Sequence, residues 1–189
     1  MRRAYAILGV GFLILILGTW LIVSREGVSI SNLEAPMSTT LSITSPAFSP
    51  GGLIPKRHTC EGEDVSPPLT IGGVPGEAKS LILIVDDPDA PVGTWDHWVL
   101  YNIPPDTREI AENSAPPGAM HALNSWERNE YGGPCPPDRE HRYFFKLYAL
   151  DMTLDLSPES TTKAMIEEII QGHVLAEAEL IGRYDKEAK

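Results

Sequence analysis

The sequence predicts a mostly β domain of about 150 residues standing behind an apolar N-terminal helix. Three observations lead there. One charge-free run lies near the N-terminus. Short β-branched and aromatic segments, set between prolines and glycines, fill most of the rest. Only one later stretch combines helix caps with an apolar face.

Residues Ala4 to Val23 carry no charge. As a helix of about 1.5 Å per residue they match a bilayer core of about 30 Å. Arg2 and Arg3 precede them and favour a cytoplasmic stub at residues 1–3, by the positive-inside rule. The reading is a transmembrane anchor at 4–23. The alternative is a cleaved signal segment, which would make the protein secreted. Leu21-Ile22-Val23-Ser24-Arg25 is a poor small-residue cleavage site, which favours the anchor. Both readings place the remainder outside the cytoplasm. Residues 24–40 are rich in Ser, Thr and Glu and lack periodicity, as a linker does. The domain proper spans 41–185.

Within it, Leu41 to Phe48 alternates apolar and polar residues, as a half-buried strand does. Gly51, Gly52 and Pro55 punctuate the next stretch of chain. Pro67-Pro68-Leu69-Thr70-Ile71 suits only an edge or irregular strand, since proline lacks a ladder donor. Ser80 to Val85 is a short continuous apolar run, the pattern of a strand buried on both faces. His97 to Ile103 and Arg142 to Leu150 have the aromatic and β-branched content of central strands. Residues 105–140 contain six prolines and six glycines or asparagines, and read as a long functional loop region.

A helix is predicted from Ser157 as cap and Pro158 in the first turn to Gly172 at the end. Met165, Ile166, Ile169 and Ile170 would form its apolar face. From Val174 to Tyr184 alanine and glutamate favour helix, but Val174, Ala176, Ala178 and Leu180 alternate with Glu177 and Glu179. A strand is the reading taken.

The chain carries a net charge of −11. Arg2, Arg3 and Arg25 are three of its 15 basic residues, and no acid precedes Glu26. The part beyond Arg25 therefore sets 12 basic residues against 26 acids, or −14. Such a body repels nucleic acid, and any anion it binds must be held by local, directed groups. Phosphate-cradling, dinucleotide, zinc-protease and serine-elbow motifs are absent. Cys60 and Cys135 are open to two readings, a disulfide in an oxidising compartment or two separate thiols.

Two polar segments remain. The first runs Asp86-Asp87-Pro88-Asp89-Ala90-Pro91, then Thr94-Trp95-Asp96-His97-Trp98. The second runs Tyr131-Gly132-Gly133-Pro134-Cys135-Pro136-Pro137, then His141-Arg142-Tyr143. Each ends in a histidine at the start of a strand. Tyr143 shares a face with His141, and Asp87 could share one with Asp89. His97, His141 and Tyr143 would converge near Asp87. Charged histidine donates from both nitrogens, so the set suits a small anion, with Asp87 taking a proton-bearing oxygen or an amine. Arg142 reads as the partner of a carboxylate. Trp95, Trp98, Phe144 and Phe145 read as core or pocket wall.

Thr59 to Leu69, then the segments quoted above through Asp151, resemble the phosphatidylethanolamine-binding protein family over about residues 41–184. The resemblance is to its bacterial and archaeal Raf-kinase-inhibitor-like branch, of the YbhB/YbcL type. It implies a two-sheet antiparallel β-sandwich-like fold with one or two short helices. It also implies a pocket for phosphate, phosphorylated head groups or similar small anions. The ligand-binding residues it implies are Asp87, His97, Gly133, Pro134, His141 and Tyr143. Asp89, Pro91 and Trp95 would support them, with Ala90–Pro91 as a cis peptide. Read to Lys189, the sequence is expected to lack the C-terminal helix of animal members.

The expectation is a non-enzymatic, membrane-tethered binding protein with no cofactor and no metal. Its partners would be a small anionic or phosphorylated ligand and the membrane, not nucleic acid, with a protein partner or a homodimer also open. The alternative is an inhibitor module, for example of a peptidase, acting through exposed loops. A metal reading would use Asp87, His97 and His141 with Cys135 near, and the sequence lacks the tight ligand spacing that reading needs.

Overall fold

A computed structural model describes residues 40–186. The stub, the anchor and the linker through residue 39 lie outside the described residues. Among the described residues, no helix is long and apolar enough to cross a membrane.

The domain has two antiparallel sheets. The smaller one orders β1 (Ser42–Thr44), β2 (Leu69–Gly72) and β5 (Glu109–Ile110) as β1-β2-β5. The larger contains β3 (Ser80–Asp87), β4 (Trp95–Ile103), β6 (Met120–His121), β7 (His141–Leu150) and β8 (Val174–Tyr184), in the order β6-β4-β3-β7-β8. One helix, α1 (Lys163–Ile169), is present among the described residues. The mostly β, two-sheet expectation therefore holds.

β3 is the centre of the large sheet, and all eight of its residues are buried. Successive side chains point to opposite faces. Leu81, Leu83 and Val85 join Leu69, Ile71, Trp98, Leu100, Phe145 and Leu147 in the core between the sheets. Ile82 and Ile84 face the other way, toward Val99, Tyr101, Ile166 and Ile170 under α1. Two cores, one on each face, explain why this strand is a continuous apolar run.

The alternation has a consequence at the strand's end. Asp86 follows the α1 face and Asp87 the inter-sheet face, and both are buried. A buried carboxylate needs a partner. Asp86 Oδ2 accepts from Lys146 Nζ at 2.8 Å and from Lys163 Nζ at 2.9 Å. Lys163 also donates to Asp96 at 2.7 Å. Asp86 and Asp96 stand opposite each other in the β3–β4 ladder, so one lysine from α1 neutralises a like-charged cross-strand pair.

Two irregularities shape β4. Its pairing with β3 shifts between Val85↔Trp98 and Asp86↔Asp96, which leaves His97 as the extra residue of a bulge. A second shift leaves Asn102 in the left-handed region (φ 53). Its amide there donates to Leu154 O at 2.7 Å and its oxygen accepts from Leu154 N at 2.8 Å.

The helix differs from expectation at its start. Ser157 does not cap it. The Ser157 carbonyl instead accepts from Thr161 N and Thr161 Oγ1, closing a separate turn. Thr162 is the N-cap, its hydroxyl accepting from Met165 N at 3.4 Å. Ile166 and Ile170 face the core, whereas Met165 and Ile169 are exposed. The apolar face is thus half as wide as the sequence suggests, because a seven-residue helix presents only one turn to the sheet. Gly172, at φ 81, marks the turn before β8 as expected. β1 is shorter than the alternating run from Leu41 to Phe48, and Val174 to Tyr184 is a strand throughout.

Replacing Lys163 with alanine leaves Asp86 with one cation and Asp96 with none. Breaking a buried pair costs about 3 kcal/mol. Urea unfolding of Lys163→Ala is expected to show a loss of that order, and a loss below about 1 kcal/mol would contradict this account.

Candidate functional site

The C-terminal end of β3 and the N-terminal ends of β4 and β7 lie together at one end of the large sheet, and a cavity of about 410 Å³ opens there. It is lined by Asp87, His97 and His141, with Pro91, Trp95, Trp126, Cys135 and Pro137 among its walls. The histidines arrive by different routes. His141 and Tyr143 sit on the inward face of β7, where alternation alone puts them. His97 reaches the same cavity through the β4 bulge. Without that extra residue it would follow the face of Val99, toward α1.

His141 is fully buried, with its Nδ1 2.7 Å from Asp87 Oδ2 and its Nε2 3.0 Å from Asp138 Oδ1. Burial works against a charge on this ring. The hydrogen bonds to the two carboxylates outweigh it and hold the imidazolium above the ordinary histidine value. Both nitrogens then donate. Asp87 Oδ1 is also engaged, accepting from Asp89 N at 2.8 Å. Asp87 therefore lines the cavity while positioning His141 and the following turn, and each of its oxygens keeps a further lone pair.

His97 is the opposite case. Burial pushes its imidazole below the ordinary value, so the neutral form is favoured. Nδ1 lies 2.6 Å from the Gly132 carbonyl and must donate there. Nε2 is left as an acceptor. The ring is clamped edge-on between Trp126, at 5.1 Å between centroids, and Tyr143, at 5.2 Å. The cavity thus combines a histidine biased toward the charged donor with one biased toward the neutral acceptor. Burial raises Tyr143 far above a normal phenol. Its hydroxyl is sealed in, beside the Cys135 backbone but without a hydrogen bond of good geometry.

Gly133 and Pro134 stand behind the lining. Gly133 N donates to Asp64 Oδ1 at 2.7 Å, and Pro134 O accepts from Cys60 N at 3.2 Å. A Cβ on Gly133 would come within 2.6 Å of the His58 carbonyl, so the close approach requires glycine. Cys60 and Cys135 form a disulfide with Cα atoms 5.5 Å apart, resolving the open choice between bond and thiols. Closing a loop of 75 residues contributes about 4 kcal/mol in the chain-entropy account. Tyr131 OH adds a bond to His58 O at 2.7 Å. The 131–135 segment is therefore fixed to residues 58–64.

The Ala90–Pro91 peptide is trans, contrary to expectation; no cis bond occurs among the described residues. Gly93 N donates to Ala90 O at 3.2 Å, closing a turn in which Pro91 holds the second position. Proline suits that position with a trans bond. Asp89 does not enter the cavity. Arg142 grips it with Nε and Nη2, both at 2.8 Å, and this guanidinium holds the Asp89 carboxyl down to about 2. Arg142 is a carboxylate's partner, as expected, and Trp95 lines the cavity wall.

Trp126 and Asp138 escaped the sequence reading. Trp126 lies in a loop whose path no periodicity reveals. Asp138 is three residues before His141, a spacing that signals contact only once the turn between them is known.

The model of the phosphatidylethanolamine-binding protein family matches residues 44–185. A UPF0098 protein of Methanothermobacter thermautotrophicus is 52% identical over 149 residues, covering 76% of this chain and 98% of the relative. A UPF0098 protein of Chlamydia trachomatis is 46% identical, covering 78% and 100%. Among solved structures, a phosphatidylethanolamine-binding protein homolog from Chlamydia trachomatis has TM-score 0.76 at 45% identity, covering 79% of this chain and all of that one. Escherichia coli YbcL, described as a member of the mammalian family, has TM-score 0.73 at 30% identity, covering 78% and 99%.

The raised His141 value sets the direction of a pH dependence. A group whose folded pKa exceeds its unfolded value of about 6.5 stabilises fully below that pH and loses its contribution as pH rises through the folded value. The stability gap between the wild type and His141→Gln is expected to be widest near about pH 6 and to narrow in alkali. Unfolding measured across pH checks this, and a gap that widens with pH would contradict it.

Proposed function

The chain belongs to the phosphatidylethanolamine-binding protein family, and from that premise we propose that it is a non-enzymatic binding protein for small oxyanions that also carry a hydrogen-bond donor, such as a hydroxyl or an ammonium group. Hydrogen phosphate and phosphorylated head groups are such ligands. The observation that carries this reading is the buried His141, its Nδ1 2.7 Å from Asp87 Oδ2, at the wall of a cavity that His97 also lines. A hydrogen phosphate offers a charged oxygen to His141 Nε2 and a hydroxyl to His97 Nε2. Trp95, Trp126, Pro91 and Pro137 supply apolar walls that exclude water and strengthen those bonds. In an acidic body, such directed local groups are what an anion site requires.

The chain is tethered through Ala4 to Val23, with the domain outside the cytoplasm. The Cys60–Cys135 disulfide supports that location, since such bonds persist in oxidising compartments. A second reading, inhibition of a partner such as a peptidase through exposed loops, draws on Val92, which is 76% exposed beside the cavity. The two readings separate cleanly, because His141→Ala would abolish anion binding but leave loop-driven inhibition intact.

Titration of the full-length protein with inorganic phosphate and phosphoethanolamine, followed by imidazole NMR, tests the site. Saturable shifts of the His97 and His141 signals are expected, with loss of binding in His141→Ala. Unmoved signals at millimolar ligand would overturn the proposal.

A further inference from the structure

His141 has one ring nitrogen to give a ligand. Nδ1 is committed to Asp87, so any ligand oxygen must take Nε2. That position already has an occupant. Asp138 Oδ1 lies 3.0 Å from Nε2, and its side chain is 50% exposed, while His141 is fully buried. Asp138 reaches in from the short turn between Pro137 and His141, and Pro137 itself lines the cavity. We propose that Asp138 is a tethered competitor for the oxyanion position, so that a ligand binds by exchanging with this carboxylate. The inference rests on the oxyanion-binding reading given above and adds how that site is held when no ligand is bound.

The exchange is physically cheap on one side. Released into solvent, the half-exposed carboxylate regains water, and Arg139 is at hand, with Nη1 2.9 Å from Asp138 Oδ2. Arg139 N also donates to Asp138 Oδ1 at 3.0 Å, so the turn has its own partners for the acid. His141 would not be left bare, because the incoming oxyanion replaces one charge-assisted acceptor with another. An ordinary carboxylate ligand exchanges like for like against a tethered group of high effective concentration and gains little. A phosphate monoester brings more charge and more acceptor oxygens, and displaces the tether more readily. The side chain also protects the site at rest, since a buried imidazolium with an empty Nε2 would be an unsatisfied donor.

Inorganic phosphate binding to the full-length protein tests this, comparing the wild type with Asp138→Ala, Asp138→Asn and Glu140→Gln. Removing the competing charge-assisted bond is expected to tighten binding about tenfold in Asp138→Ala. Asparagine still offers an acceptor oxygen, so Asp138→Asn should fall between the wild type and alanine. Glu140 pairs with Arg183 at 2.8 Å, away from His141, and Glu140→Gln reports the effect of removing a loop charge alone. The gain in Asp138→Ala should persist at about 0.5 M salt, where the Debye length is only several Å and long-range repulsion is screened. Binding seen only in Asp138→Ala would also support the inference. Equal affinity in the wild type and Asp138→Ala, or an equal gain in Glu140→Gln, would overturn it while leaving the oxyanion reading intact. Absence of binding in every variant would overturn both.

Discussion

β3 runs through the middle of the domain with an apolar core on each face, and it ends in two adjacent aspartates. Buried carboxylates at such a place must each be met by a cation, because an unpaired charge there costs several kcal/mol. Alternation sends them to opposite sides. Asp86 is met by Lys146 and Lys163, which tie β7 to β3 and α1 to the sheet. Asp87 is met by His141, whose charged form it favours at the wall of a cavity. One side of the constraint is spent on architecture and the other on chemistry.

The remaining parts of the site serve that cation. The β4 bulge turns His97 inward to face it. The Gly132 carbonyl fixes which nitrogen of His97 bears the proton, and Trp126 and Tyr143 hold its ring from both sides. The disulfide, the Gly133–Asp64 bond and the Tyr131–His58 bond keep the 131–135 segment against residues 58–64. Two histidines lining one cavity are therefore biased toward opposite protonation states by their surroundings. That asymmetry is what a ligand carrying both an anionic oxygen and a hydroxyl would match.

Much of this was legible in the sequence where burial and alternation dominate. Ser80 to Val85 could only be a central strand, and the two-residue spacing of His141 and Tyr143 put them on one face. Arg142, adjacent but of opposite parity, was readable as an outward ion-pair partner. Legibility failed where a local choice depends on a distant contact. His97 lines the cavity as expected, but it is turned there by a bulge that breaks the period, and no side chain announces a bulge. Ser157-Pro158 carries the signature of a helix start, yet Ser157 closes a turn with Thr161 and passes the cap to Thr162. Pro91 was expected in a cis bond by resemblance, but the Ala90–Gly93 turn accommodates it trans. The two contacts by which Asp87 holds His141 and the turn at Asp89 are likewise invisible until the fold is known.

The site depends on different protonation of His141 and His97. Nitrogen-15 NMR of the imidazole rings near neutral pH, without added ligand, tests it most directly. His141 should show two protonated nitrogens, and His97 one protonated Nδ1 and one bare Nε2. In Asp87→Asn the His141 ring should lose its second proton at neutral pH while His97 keeps its tautomer. A neutral His141 in the wild type, or a doubly protonated His97, would contradict the account.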